Sequence, residues 1–308
     1  MRSACLYVNA RSRSGRAWFE EAQGELVRQG FHVTEALAGK VGALRESVRL
    51  AVARKEQRII LGGGDGTFSA LAPLLVGSHT TLGILPLGTG NALSRDLEIP
   101  GDLSGACSVI ATGAVRAIDM GFVGDHHFLN VATIGLSTEI ARQLDPNAKR
   151  VLGRAAYAIA LLKGLGVMQP FQVELILDGE THSFRSLQVV IGNGRFHGGP
   201  FLLAPEADID TGYLEVYGLA SDRKWALWNL AWKLLRGNQS QLDNVVARRV
   251  RGGHIATRPR RRVTVDGERG PQTPVRFGIR PGALRVYVPT RNGPKSAGKG
   301  SDGNEGDL

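Results

Sequence analysis

Through the first third of the chain, short apolar runs alternate with stretches whose apolar residues recur every three or four positions. ACLYVNA (4–10), FHVTEAL (31–37), RIILGGG (58–64) and TLGILPL (81–87) are β-branched or leucine-rich runs. Between them, residues 16–29 space Trp18, Phe19, Ala22, Leu26 and Val27 as a helix does, and 41–55 do the same with Leu44, Val48, Leu50 and Val52. TFSALAPLLV, after the third run, starts as a helix. Strand and helix alternating in units of about 30 residues predict a parallel α/β sheet with right-handed crossovers.

Past Gly113 the periodicity shortens to that of strands. AIDMGFVGDHHFLNVATIGL breaks into glycine-punctuated runs with a tight hairpin at VGDHH, and Asp178-Gly179 joins two runs as a hairpin turn. GYLEVYGL, HIATRPRRRVTVDGE, PVRFGIR and ALRVYVP continue the set, which predicts a β-sandwich. Helical segments at 149–168 and 222–236 interrupt it, and the Gly/Ser-rich end TRNGPKSAGKGSDGNEGDL reads as disordered. The expected fold class is therefore α/β plus β. An N-terminal parallel-sheet α/β domain covers 1–116, a β-sandwich domain with helical insertions 117–290, and a disordered tail 291–308.

Composition narrows the setting. With 308 residues, 43% of them hydrophobic, the chain has ample material for a core, and its length suggests one large domain or two ordinary ones. Cys5 and Cys107 each lie in an apolar stretch and read as buried, reduced thiols of a cytoplasmic protein. MRSACLYVNARS lacks the apolar run of a secretory signal, and no apolar stretch is long enough to cross a bilayer. The net charge of +10 gathers at Arg248, Arg249, Arg251 and in RPRRR (258–262). Nucleic acid, anionic lipid, phosphorylated small molecules or a plain solvated face all fit such a surplus. Nucleic acid fits worst, because the arginines are not interleaved with aromatics and no reading helix follows them.

Candidate chemistry lies in the loops. In open α/β sheets ligands bind beyond the carboxyl ends of the strands. NARSRSG, GGGDGT and PLGTGN all fall on that rim, where glycines admit an oxyanion and the following helices offer unpaired N–H groups. None has the ending of a P-loop or the spacing of the dinucleotide fingerprint. Asp65 stands out among them. Two like charges about 4 Å apart repel by ~1 kcal/mol in water and ~4 kcal/mol at an effective dielectric near 20. A carboxylate beside phosphates therefore implies a cation such as Mg²⁺ between them, a proton acceptor at the reacting phosphoryl group, or simply a helix cap. The late VDGE admits two readings: an Asp-Gly turn with solvent-facing acids, or two acids, Asp266 and Glu268, on one strand face.

GGDGT (63–67), PLGTGN (86–91), IGL (134–136), GNG…GG…LAPEA (192–207) and VDGE (265–268) occur together in this order. On these motifs, residues 3–290 resemble the diacylglycerol kinase catalytic family, which includes the soluble bacterial lipid kinases and the sphingosine and ceramide kinases. The resemblance implies an ATP- and Mg²⁺-dependent kinase of a lipid hydroxyl, with the nucleotide on the α/β domain and lipid meeting it in the cleft. It places nucleotide contacts on Asn9, Thr34, Gly63, Gly64, Asp65, Gly66, Thr67, Thr89 and Asn91. Glu268 becomes the proton acceptor, with Asp266 beside it, and Asp65 organises the ATP-bound Mg²⁺. NAD kinases share the GGDGT loop, and a nucleotide- or lipid-binding protein on an inactive scaffold is the reading from another class.

The chain departs from the family pattern in several places. Ala10 replaces a proline in NARSRSG, Ser69-Ala70 replace Asn-Glu, and Ala92 replaces an aspartate common in bacterial members. The resemblance implies a structural Mg²⁺ held by an aspartate and nearby backbone carbonyls. The aspartate position is Thr211 here and the flanking backbone positions are Asp208 and Tyr213, and a threonine oxygen is a poorer ligand than the carboxylate that Asp208 or Asp210 could supply instead. His126, His127 and His197 lack partners at metal-ligand spacing. On the lipid side, DRKWALWNLAWKLLRG spaces Trp225, Trp228 and Trp232 along one stripe, which suits a lid, a membrane contact or a helix packed on the sandwich. The expected partner is a lipid substrate reached by peripheral membrane contact, with no nucleic acid and a homodimer left open.

Overall fold

Four parallel strands order the N-terminal half as β2-β1-β3-β4: β1 (Arg2–Asn9), β2 (Phe31–Gly39), β3 (Arg58–Gly63) and β4 (Thr81–Pro86). This is seen in a computed structural model, which describes residues 2–12, 15–135, 169–195, 208–220 and 245–290. Helices α1 (Gly15–Arg28), α2 (Val41–Ala53), α3 (Asp65–Leu71), α4 (Ala92–Asp96) and α5 (Leu103–Thr112) follow or connect the strands. The strands read as near-continuous apolar runs because helices cover them: Ala4 to Val8 and Ile59 to Leu61 are buried. On α2 the buried side is Leu44, Val48 and Ala51, whereas Leu50 is half exposed, as is Val27 on α1. The helix after GGGDGT is short; Pro73 turns it into a single 3₁₀ turn at Ala72–Leu75.

Beyond α5 the chain is β-rich. β5 (Ala114–Val123) and β6 (His126–Phe128) form the expected hairpin at Gly124-Asp125. β7 (Val131–Gly135), β8 (Phe171–Leu177) and β9 (Glu180–Gly192) follow, the last two joined by Asp178-Gly179, both with positive φ. β10 (Leu214–Ala220), β11 (Val245–Val250), β12 (Gly252–Arg258), β13 (Arg262–Val265), β14 (Glu268–Gln272) and β15 (Val275–Val288) complete the described strands. Phe128, Phe171, Val189, Ile191, Ile255 and Phe277 lie at the heart of this second core.

All the described strands belong to one continuous sheet, running β14-β13-β7-β9-β8-β12-β15-β4-β3-β1-β2 with side branches. β15 links the two halves. Its first part pairs antiparallel with β12, and its end pairs parallel with β4 through Arg285↔Thr81 and Val286↔Leu82. β5 runs antiparallel along it, with a bulge between Arg280 and Leu284. The expected division between residues 116 and 117 is thus spanned by β5 and β15, whose Ile118, Met120, Leu284 and Val286 pack into the N-terminal core. The Trp225/Trp228/Trp232 segment, the helical insertions, His197 and the 291–308 tail lie outside the described residues.

Candidate active site

Three loops meet at the carboxyl ends of β1, β3 and β4. Asn9, the last residue of β1, donates its amide to the Thr67 hydroxyl at 2.9 Å and accepts from the Arg11 N–H at 3.0 Å. Gly63 lies directly under Thr67, so any β-carbon there would collide with the threonine side chain. Gly64, extended, precedes α3, and its Cα faces Gly88: a methyl on Gly88 would lie 2.5 Å from Gly64 Cα and 2.6 Å from Asn91 Oδ1. These glycines serve loop-on-loop packing first. Gly66 differs, because a β-carbon there would meet nothing within 4 Å.

A cleft of about 420 Å³ opens over these loops, a volume in the range of small-ligand sites. Asn9, Gly64, Gly66, Thr67 and Gly88 border it from the α/β side, and Glu268 borders it from the other. The early glycine loop and the late acid therefore share one crevice.

Asp65 has its carboxylate turned toward the next loop. Its Oδ1 accepts from the Ala92 N–H at 2.6 Å at the start of α4, and its Oδ2 lies against Gly90. Burial pushes its pKa above the usual carboxylate range, against the hydrogen bonds from Ala92 and its neighbours and the charge of Arg95. The cap reading and the phosphate reading are thus not exclusive: the carboxylate caps the backbone at the start of α4 from its place in the glycine loop.

The VDGE segment corrects the expectation of one strand face. Asp266 (φ 46°) and Gly267 (φ 88°) form a two-residue hairpin turn between β13 and β14, with Val265 opposite Glu268. The two acids consequently have separate fates. Glu268 is exposed to the cleft, with no hydrogen bond or ion pair among the described residues. The Asp266 carboxylate is buried and takes four donors: the N–H groups of Leu129 (2.8 Å), Asn130 (3.0 Å) and Val131 (2.8 Å), and the Ser69 hydroxyl (2.6 Å). Burial raises its pKa while these donors oppose the shift.

Two of the expected nucleotide contacts, Thr34 and Asn91, are not among the residues that line the cleft. Thr34 lies mid-way along the edge strand β2, at the level of Ala4 and Cys5; its hydroxyl donates to the Ala4 carbonyl at 3.3 Å. The rim of that strand is five residues further on, at Gly39, opposite Asn9. Asn91 takes a left-handed conformation (φ 47°) and spends its side chain on its own loop, donating to the Pro86 and Gly88 carbonyls and accepting from Gly88 N–H. Thr89 is exposed on the same loop, outside the cleft wall.

Beside the suspected structural metal position an arginine pairs with two aspartates. Arg116 of β5 reaches Asp208 at 2.9 Å and Asp210 at 2.6 Å, while the Thr211 hydroxyl donates back to the Asp208 carbonyl at 3.3 Å. Tyr213 faces the guanidinium groups of Arg249 and Arg251 at 4.9 and 5.1 Å. The guanidinium neutralises the Asp208 and Asp210 carboxylates, so neither is free to stand in for the carboxylate that Thr211 lacks. Among the described residues no group of three or more His, Cys, Asp or Glu is placed to hold a metal.

Sequence reading passed over several residues that assemble the crevice. Asp119, buried in β5, accepts from the N–H groups of Gly212 (2.6 Å) and Gly282 (2.8 Å), which pins the bulge of β15. Asn193 of GNG, fully buried, donates to the Asp119 and Leu129 carbonyls at 3.1 and 2.9 Å. Asp96 accepts from the Arg195 N–H at 3.1 Å and would leave no room for a β-carbon on Gly194. The signal available was a lone acid inside an apolar run, as in AIDMGF and LSRDLEI; a buried carboxylate requires partners.

Comparison with known proteins bears on the whole chain. The diacylglycerol kinase catalytic domain family matches residues 3–123, and the YegS C-terminal NAD kinase beta sandwich-like domain family matches residues 130–288. A protein of Pectobacterium atrosepticum named "Probable lipid kinase YegS-like" is 31% identical over 92% of this chain and 95% of its own. A protein of Mycobacterium tuberculosis named "Diacylglycerol kinase" is 30% identical over 87% of this chain and 88% of its own. A crystal structure of a diacylglycerol kinase from Bacillus anthracis str. Sterne superposes with a TM-score of 0.75 at 25% identity, covering 93% of this chain and 97% of that one. With matching domains in both halves and matching architecture throughout, the chain belongs to the diacylglycerol kinase catalytic family, in its YegS-like lipid kinase form, and is an alcohol-acceptor phosphotransferase by membership.

Proposed function

We propose that this protein transfers the γ-phosphoryl group of ATP to a hydroxyl of diacylglycerol, a sphingoid base or a related lipid, with Glu268 as the base. The supporting observation is that Glu268, without a partner of its own among the described residues, borders the same cleft as Gly64, Gly66 and Thr67. A lipid hydroxyl must lose its proton as its oxygen attacks the γ-phosphorus and ADP leaves, and a carboxylate within hydrogen-bond reach accepts that proton. Asn9, Gly64, Gly66 and Thr67 bind and orient the phosphates. Asp65 is the residue that would organise a hydrated Mg²⁺, which would supply charge neutralisation between acid and phosphates. Exposed Arg248, Arg249, Arg251, Arg258 and Arg260 give the protein a basic surface suited to peripheral contact with anionic lipid.

The test is Glu268→Gln, assayed with labelled ATP against total lipid and, separately, against NAD. Transfer into lipid by the wild type, its loss in the variant and an unchanged melting temperature are the expected result. Near wild-type turnover in the variant removes the base from Glu268, and transfer to NAD alone removes the lipid acceptor.

A further inference from the structure

We propose that Ser69 is a positioning residue for Glu268: its hydroxyl latches the helix of the glycine loop to the Asp-Gly turn that carries the acid. The inference rests on the reading of Glu268 as the base. It starts from what holds that acid. Glu268 has no side-chain partner among the described residues, so its place over the loops is set by the backbone of the turn two residues earlier. That turn is gripped through Asp266. Three of the four donors to the Asp266 carboxylate are consecutive N–H groups at Leu129, Asn130 and Val131, and Asp266 N–H returns a bond to the Val131 carbonyl at 2.8 Å. These come from the segment between β6 and the start of β7, whose Leu129 side chain packs into the N-terminal core.

The fourth donor is different. Ser69 Oγ reaches Asp266 Oδ2 at 2.6 Å across 197 residues of sequence, from the helix that begins at Asp65 and includes Gly66 and Thr67. It is a short bond to a buried carboxylate, of the stronger class. Through it the helix of the phosphate-side loop is bonded directly to the base-side turn, by side chain to side chain.

The experiment compares Ser69→Ala and Ser69→Thr with the wild type, by amide hydrogen exchange at residues 265–270 and by steady-state kinetics. In Ser69→Ala, exchange at the turn should rise about tenfold with β3 unaffected, and kcat should fall about tenfold with KM for ATP within about twofold, the scale of losing one hydrogen bond to a charged group. Ser69→Thr, which keeps the hydroxyl, should restore both. Unchanged exchange at the turn overturns the latch itself. Faster exchange with unchanged kcat overturns the positioning role, as does a rise confined to KM. A wild type that phosphorylates no lipid overturns the functional reading instead, and the positioning role with it, while the exchange data still report whether the bond holds the turn.

Discussion

The Asp65 carboxylate accepts the Ala92 N–H at 2.6 Å, which closes one glycine loop onto the first residue of the helix that follows the next. The position after Asn91 needs only its backbone for this. Alanine there is sufficient, although the pattern of bacterial relatives has an aspartate.

Asp65→Asn separates what the acid does for the fold from what it does for chemistry. The amide oxygen of asparagine can still accept from Ala92, and the variant no longer buries a charge. Phosphoryl transfer should be lost while the melting temperature at neutral pH is equal to or above that of the wild type. The sign follows from the raised pKa. A carboxyl whose folded value lies above its ordinary 3.8 favours folding below that value, and this contribution is lost as pH rises through the folded value. The melting-temperature gap between variant and wild type should therefore be near zero at pH below the ordinary value and widen as the pH rises. Calorimetry across that window checks it, and a gap that narrows with pH would contradict the burial argument.

Gly66 and Gly88 predict opposite outcomes for the same substitution. Gly66→Ala puts a methyl into open cleft space on a helix, so stability should rise by up to about 1 kcal/mol. The same methyl intrudes where phosphates must approach, and KM for ATP should rise about tenfold, in line with the ~1–3 kcal/mol of an overfilled contact. Gly88→Ala drives a methyl into the Gly64 backbone, which has no rotamer to yield, and should unfold or strongly destabilise the protein. Melting curves together with nucleotide titration separate the two.

Arg116→Ala exposes two carboxylates to each other. Asp208 and Asp210 are each about one-third exposed (34% and 35%), so the lost pairs together contribute about 1–2 kcal/mol after solvent screening. A fall of a few degrees in melting temperature follows. Millimolar Mg²⁺ should recover part of that loss in the variant and leave the nucleotide-free wild type unmoved. A wild type that melts earlier in chelator would show that a cation, not the guanidinium, holds this turn together.

The legible part of the fold was the part written in short-range pattern. Parallel strands, their helices and the Asp178-Gly179 turn follow from periodicity and from residues that tolerate positive φ. The same chemistry makes Asp266-Gly267 a turn, yet nothing local distinguishes it from Asp178-Gly179, which is exposed on both residues. The difference comes from Ser69 and the Leu129–Val131 amides, far away in sequence. Thr34 and Asn91 illustrate the converse. Their residue types suit a nucleotide, but one is five residues short of its strand's rim and the other is consumed by its own loop. Arg116 was invisible for a third reason: a lone arginine at a strand start takes on meaning only once the chain has brought Asp208 and Asp210 beside it.

The return of β15 to β4 governs how the molecule can be made. While the ribosome is still adding the β-rich half, the nascent chain carries β4 with one flank unpaired, and TLGILP is buried at every position in the finished protein. Such an edge invites pairing with other chains. The α/β half must therefore wait, sheltered or only loosely folded, until a strand synthesised some two hundred residues later arrives to seal it.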